Sequence, residues 1–354
     1  MSLFSKLLNS ISSKNKSSAP DNNISNNIKN YSDYLSTTDN SDIPPFQGDY
    51  AKAVFLNAYS KASHVMKKTD YQRYLLFECG IRDAAAFHMQ LINEGYLVKA
   101  NIKQILETYN LTELKNVLKE IGQPVSGKKE AIIKRIIDNA DESVLKRYSK
   151  NNLYALSEKG EGFLEKHSDC VKIHKKHSSW GISWEEYNHY HIDGENFNDT
   201  IWRIFNERIL NDLQHFGRNE YYHMAELLEE ERKRREALYF FLRVLYIDIS
   251  GIDCLLSLNL YKEKLCTLND IKKQSDAFIL IAPAIPPIIK KHADVYTEDL
   301  VDRVYENALP IMVCPKEYFK EIVKSIIDDE FDKEQVNTEL KRYFIDYIEN
   351  IKSV

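Results

Sequence analysis

The residues best suited to chemistry in this 354-residue chain are Ser126, Gly127, Lys128 and Lys129, followed one turn later by Lys134 and Arg135. Ala131, Ile132, Ile133, Ile136 and Ile137 recur directly after them at the spacing of a buried helix face. The four residues therefore form a basic loop at a helix N-terminus, with Ser126 expected as the cap. Such a terminus carries unsatisfied N–H groups and a partial positive charge, so it attracts anions. The repeating anion that suits it is a phosphate backbone. No catalytic constellation competes with this reading. GxSxG, P-loop, GxGxxG and HExxH sequences do not occur. The histidine-rich run HSDCVKIHKKHSSWGISWEEYNHYH holds Cys170, His174, His177, His189 and His191, but with one thiol and no zinc-finger spacing. It reads as a surface segment pinned by Trp180, Trp184 and Tyr187. A non-enzymatic protein with no cofactor and no metal site is expected.

Two short amphipathic helices must position the loop. Leu111, Leu114, Leu118 and Ile121 mark the first, and Asn110 with Glu113 three residues on is a capping-box start. Gly122 ends that helix where positive φ is usual, and Pro124 stiffens the connection. The stretch as a whole resembles a SAP motif, the helix–extended loop–helix module of chromatin and DNA-repair proteins that binds DNA. The matching residues are Glu113-Leu114-Lys115, Leu118, Gly122, Val125, Ser126-Gly127-Lys128-Lys129-Glu130, Ile133 and Arg135-Ile136. Gln123 departs from it, since the family usually has an apolar residue there. The resemblance implies DNA contact through Ser126, Gly127, Lys128, Lys129, Lys134 and Arg135. Together with IPPFQGDYAKAVFLNAY, it also likens the chain to uncharacterised SAP-domain proteins of Firmicutes, which supplies no activity. An abundance of Lys, Asn, Ile and Tyr suits an AT-rich bacterial or phage genome.

A hydrophobic content of 43% supports real cores, whereas a formal net charge of −5 argues against a protein coated in nucleic acid. Any DNA contact must be local. Lys128 to Lys176 holds twelve Lys/Arg against eight Asp/Glu, and Asp299 to Val354 holds thirteen acids against eight bases. Five dispersed cysteines without CxxC read as reduced thiols of a cytoplasmic protein. The apolar run from Phe278 to Ile289 is too short and too proline-rich to span a bilayer.

Residues 1–45 read as a disordered tether, because few apolar positions are available to offset ordering entropy. Residues 46–168 read as a winged-helix-like domain. Its expected helices run from Tyr50 to Lys67, from Asp70 to Cys79, and from an Asp83 cap to about Asn93. The sequence Gly95-Tyr96-Leu97-Val98-Lys99 then forms a strand, and Asn152 to Gly160 resembles the segment that closes a winged-helix wing. About fifty residues separate the two, so the SAP-like motif at 105–140 is expected as an insertion held between paired strands. Arg82, His88 and Gln90 are the only base- or phosphate-reading side chains on the third helix. Residues 169–198 form the His/Trp-rich linker, and 199–354 read as an all-helical interaction domain. The helices at 219–230 and 233–246 resemble one tetratricopeptide-type hairpin.

The fold expected is therefore mainly α. The function expected is weak, largely sequence-independent binding of duplex DNA, with the C-terminal half recruiting a protein partner or self-associating and no membrane contact. The alternatives are a protein–protein adaptor in which the SAP-like hairpin is structural, and a metal-dependent enzyme acting on DNA.

Overall fold

A computed structural model describes residues 43–149, 152–212 and 215–351. The tether expected at 1–45 lies, up to residue 42, outside the described residues. The described chain is mainly helical with one two-stranded sheet, and it divides into two compact units between Trp184 and Glu185.

The first unit is built on α1 (Gly48–Ala58), which buries Tyr50, Ala51, Ala53, Val54, Phe55 and Leu56. A helix buried on nearly every side is a core helix rather than a surface one. It ends at Ala58, well short of the expected Lys67. The second helix is also shorter than its apolar spacing predicts: α2 spans only Tyr74–Phe77. The reason is tertiary. Tyr71 takes extended dihedrals, and its hydroxyl lies 2.9 Å from His88 Nδ1 while accepting from the Met66 N–H at 3.0 Å. That buried contact outweighs helix propensity. Helix α3 (Ala84–Asn93) starts as expected, with the Asp83 carboxylate accepting from Ala86 N at 3.0 Å.

Strands β1 (Leu97–Lys99) and β2 (Tyr154–Leu156) pair antiparallel, Leu97 opposite Leu156 and Lys99 opposite Tyr154. Ala100 N to Leu153 O at 2.8 Å and Ser157 N to Tyr96 O at 3.1 Å extend the ladder at both ends. The intervening residues leave and return through this pair. They form a lobe of four helices, α4 (Ile102–Glu107), α5 (Leu111–Glu120), α6 (Lys129–Asn139) and α7 (Glu142–Tyr148). The lobe has its own core of Leu106, Leu114, Val117, Leu118, Ile132, Ile133 and Ile136. Helices α4 and α7 go beyond the expected pair. They matter because Ile102, Val144, Leu145 and Tyr148 pack onto a core that a two-helix hairpin alone could not close. Glu120 fastens α7 to α5, accepting from Tyr148 Oη at 2.8 Å and from Arg147. The Tyr148 hydrogen bond, with Arg147 adding to it, holds the Glu120 carboxyl below its ordinary range.

The stretch expected as a linker at 169–198 is instead largely helical. Helices α8 (Glu158–Lys166) and α9 (Ser168–Trp180) pack on α1. Cys170, Ile173 and Trp180 are buried, and Trp184 stacks on Tyr50 at 5.2 Å. His174 Nδ1 lies 2.8 Å from Glu78 Oε1, which also accepts from the Tyr50 hydroxyl. Burial alone would raise the Glu78 pKa, but the hydrogen bonds from His174 and Tyr50 outweigh it and hold the carboxyl low. Histidines of a run expected as a pinned surface segment are thus partly core partners.

Helix α10 (Trp184–Tyr190) starts at the boundary, and the second unit continues through α11 (Phe197–Asn211), α12 (Arg218–Glu230), α13 (Arg234–Asp248), α14 (Leu255–Lys262) and α15 (Leu268–Lys272). It ends with α16 (Ile285–Lys291), α17 (Glu298–Tyr305), α18 (Lys316–Ile327) and α19 (Lys333–Asn350). Helices α12 and α13 pack on each other across a three-residue turn in which Arg232 takes a φ of 62°. The proline-rich segment places Pro286 and Pro287 in the first turn of α16. The missing N–H of proline costs nothing there. One core of this unit joins Phe241, Leu245, Ile289, Val301, Phe319, Ile322, Leu340 and Phe344. Arg218 and the buried Asp248 form a two-point pair at the foot of α12.

Candidate nucleic-acid interface

Positive charge is concentrated in the first unit. Residues 43–184 contain 22 Lys/Arg and 16 Asp/Glu, whereas residues 185–354 contain 22 and 33. An anionic polymer is therefore attracted to one unit and repelled by the other.

Within the lobe, the first helix is capped as its sequence requires. Asn110 accepts from Glu113 N at 3.0 Å, Glu113 accepts from Asn110 N at 2.7 Å, and Gly122 follows with φ at 68°. Helix α4 carries the same device in Asn101 and Gln104. Helix α6 does not. Ser126 is not its cap; Lys128 occupies that position and makes no side-chain capping bond. Gly127 has a φ of 127°, a region that disfavours side-chain-bearing residues. That turn carries the chain past Ser126, so its hydroxyl is not used. As a result, the amides of Gly127, Lys128, Lys129, Glu130 and Ala131 have no hydrogen-bond acceptor among the described residues. Ser126, Gly127 and Lys128 are exposed.

The six residues expected to bind phosphate separate into different roles. Gly127 and Lys128 present two of the open amides with Ser126 exposed beside them, and Lys128 makes no ion pair among the described residues. Lys129 turns back, donating from Nζ to Glu107 O at 2.6 Å, and so satisfies an orphan carbonyl at the end of α4. Arg135 donates from Nη1 to the carbonyls of Pro124 and, at 3.0 Å, Ser126. Through Nη1 it braces the loop. Lys134 is exposed beside a cleft of about 420 Å³ that it shares with Lys103, Glu107, Glu130 and Asp138. The carboxylates there balance its charge. Lys103 was missed because it precedes the SAP-like motif; only the packing of α4 on α6 brings it beside Lys134. No family model, curated protein or solved structure matches the chain.

The other residues considered for base contact or metal binding have internal partners. His88, expected on the exposed face of α3, is fully buried among Phe55, Tyr59 and Tyr71. His177 Nδ1 lies 2.9 Å from Ile182 O, and His191 Nδ1 lies 3.0 Å from Thr200 Oγ1. Burial pushes the Cys170 thiol up to about 12. Among the described residues, no three His, Cys, Asp or Glu side chains converge as a metal site would require. No described helix is long and apolar enough to cross a membrane.

Proposed function

We propose that the protein binds duplex DNA weakly and with little sequence preference, through the Ser126–Lys129 loop at the N-terminus of α6. The observation that carries this is the row of unpaired amides from Gly127 to Ala131 beside the exposed ammonium of Lys128. Backbone N–H groups at a helix start suit a phosphate oxygen, and the helix dipole favours its charge. The SAP-like order of residues supports the same reading. Arg135 serves it indirectly by holding the loop carbonyls away from the incoming phosphate. Contacts to phosphate position a protein but carry no base information, hence the absence of sequence preference. The second unit, with its acidic excess, stays off the DNA and recruits a partner or self-associates.

A labelled duplex titrated with full-length protein at several salt concentrations tests this by anisotropy. Each phosphate neutralised contributes a log–log salt slope of about −0.9, so two or three contacts give roughly −2 to −3. Lys128→Glu is the cleanest variant, since Lys129 also ties α6 to α4. It should weaken binding by about tenfold and make the slope shallower by about one. Unchanged affinity and slope would sink the proposal.

The internal use of Lys129 and Arg135 favours a second reading, an adaptor in which the lobe is purely structural. That reading requires no duplex binding at physiological salt, so the same titration separates the two.

A further inference from the structure

We infer that the cleft between α13 and α17 docks a peptide segment of a partner protein that carries a carboxylate beside an aromatic or aliphatic side chain. The cleft encloses about 510 Å³ and is lined by Arg235, Glu236, Tyr239 and Phe240 from α13 and by Leu300 and Arg303 from α17. Volumes of this size are typical of specific small sites. Its floor is held in place. Phe240 is wedged between Trp202 and Tyr221, with ring centroids 5.6 and 5.8 Å away, and the Tyr239 hydroxyl accepts from Asn307 Nδ2 at 3.1 Å.

Three arginines of this unit, Arg232, Arg235 and Arg303, have no side-chain hydrogen bond or ion pair among the described residues, and two of them meet at this cleft. Arg203, Arg208, Arg218, Arg234 and Arg342 each hold a carboxylate, from Glu195, Glu186, Asp248, Asp294 and Glu339 respectively. Arg243 donates to the Asn307 carbonyl at 3.2 Å. The guanidinium groups of Arg235 and Arg303 have neither a hydrogen bond nor an ion pair among the described residues. Yet residues 185–354 contain 33 Asp/Glu against 22 Lys/Arg, so acids are plentiful. Arg303 instead lies over the Tyr239 ring, 5.6 Å from its centroid. Two guanidinium groups against the single carboxylate of Glu236 leave the rim of an aromatic floor with a net positive charge, which matches a carboxylate followed by an apolar side chain. Arginine suits that task because its planar fork can grip a carboxylate at two points.

Charge decides between a peptide and a nucleic acid. A polyanion would lay many phosphates against the acidic excess of this unit, whereas a peptide needs one or two carboxylates at the cleft. At physiological salt the Debye length is about 8 Å, so remote acids are screened while direct contact with Arg235 and Arg303 is not. This inference rests on the reading of the second unit as an interaction module and is independent of DNA binding by the lobe.

The test uses full-length protein and fluorescein-labelled peptides that alternate glutamate with phenylalanine and leucine. Controls are the same peptides with glutamine for glutamate, and a labelled duplex. Saturable binding of the acidic peptide is expected. Arg235→Ala with Arg303→Ala should weaken it by at least about tenfold, in keeping with two charge-assisted contacts. Both side chains are exposed and unpaired, so the variant should keep the parent melting temperature. Equal binding of the glutamine peptide, no saturable binding of either, or displacement of the acidic peptide from the cleft by the duplex overturns the proposal. Binding unaffected by the double variant overturns this cleft while leaving an interaction role for the unit elsewhere.

Discussion

Between pH 6.5 and about 4 the first unit is expected to lose on the order of 3 kcal/mol of stability, and a His88→Phe variant is expected to escape most of that loss. His88 is fully buried among the rings of Phe55, Tyr59 and Tyr71. Burial pushes its pKa down from 6.5 to about 4. Tyr71 Oη accepts from Met66 N at 3.0 Å and lies 2.9 Å from His88 Nδ1. The Nε2 atom is buried and has no hydrogen-bond partner among the described residues, so none of their carboxylates bonds it to favour the charged ring. The sign follows from linkage. An unfolded chain takes up the proton near pH 6.5, whereas the folded one resists it until about 4. Stability is therefore highest above pH 6.5 and falls as pH drops through this window. Denaturant unfolding of parent and variant at matched pH values measures the difference. Parallel pH dependences for the two proteins would show that His88 is not the group responsible.

Gly160→Ala is expected to cost about 2–3 kcal/mol or more and to loosen the strand pair on which the lobe is mounted. A Cβ at this position would lie 2.4 Å from the Tyr96 carbonyl oxygen and 2.8 Å from Leu156 Cδ2. The first of these is backbone and cannot swing aside. Gly160 N also donates to the Ser157 hydroxyl oxygen at 3.1 Å, and that hydroxyl donates to Gly95 O at 2.7 Å. Separating α8 from β1 thus disturbs the turn that starts the helix. Thermal melts should show the loss of stability. Amide exchange should speed up at Val98 and Ala100, whose N–H groups face β2, before it does in the core of α1. A variant that melts with the parent would mean that the helix shifts without penalty.

The DNA reading and the cleft reading place their sites in different units with opposite charge. That separation has a practical consequence: Lys128→Glu should leave peptide binding intact, and the double arginine variant should leave duplex binding intact. A protein that presents a weak phosphate contact on one unit and a peptide cleft on the other would bring a protein partner to DNA without itself reading bases. Affinity for any one duplex would then depend on the partner more than on this chain.

Local signals were readable where a residue's role depends only on near neighbours in the sequence. The capping box of Asn110 and Glu113, the positive φ at Gly122, the Asp83 cap and the strand at Leu97–Lys99 are all of this kind. Each follows from backbone hydrogen-bond needs or from φ preferences that one residue can satisfy. The return strand was readable too, because a gap far longer than a hairpin loop between two strand-like segments points to an insertion. Side-chain roles in the candidate interface were not. Lys129 and Arg135 look like phosphate ligands in the sequence, since any exposed base beside a helix start does. Their actual partners, Glu107 O and the carbonyls of Pro124 and Ser126, are set by how α4 and the loop lie against α6. Likewise, the burial of His88 and the pairing of His174 with Glu78 follow from how α3 and α9 pack against their neighbours, not from local pattern. The sequence by itself determined a helical chain with a basic loop at one helix start, because patterning and capping act over a few residues. Only the tertiary structure decided which of those basic groups stay free. A long, flexible cation goes to whichever unsatisfied carbonyl or carboxylate the fold brings within reach, and that acceptor can lie anywhere in the sequence.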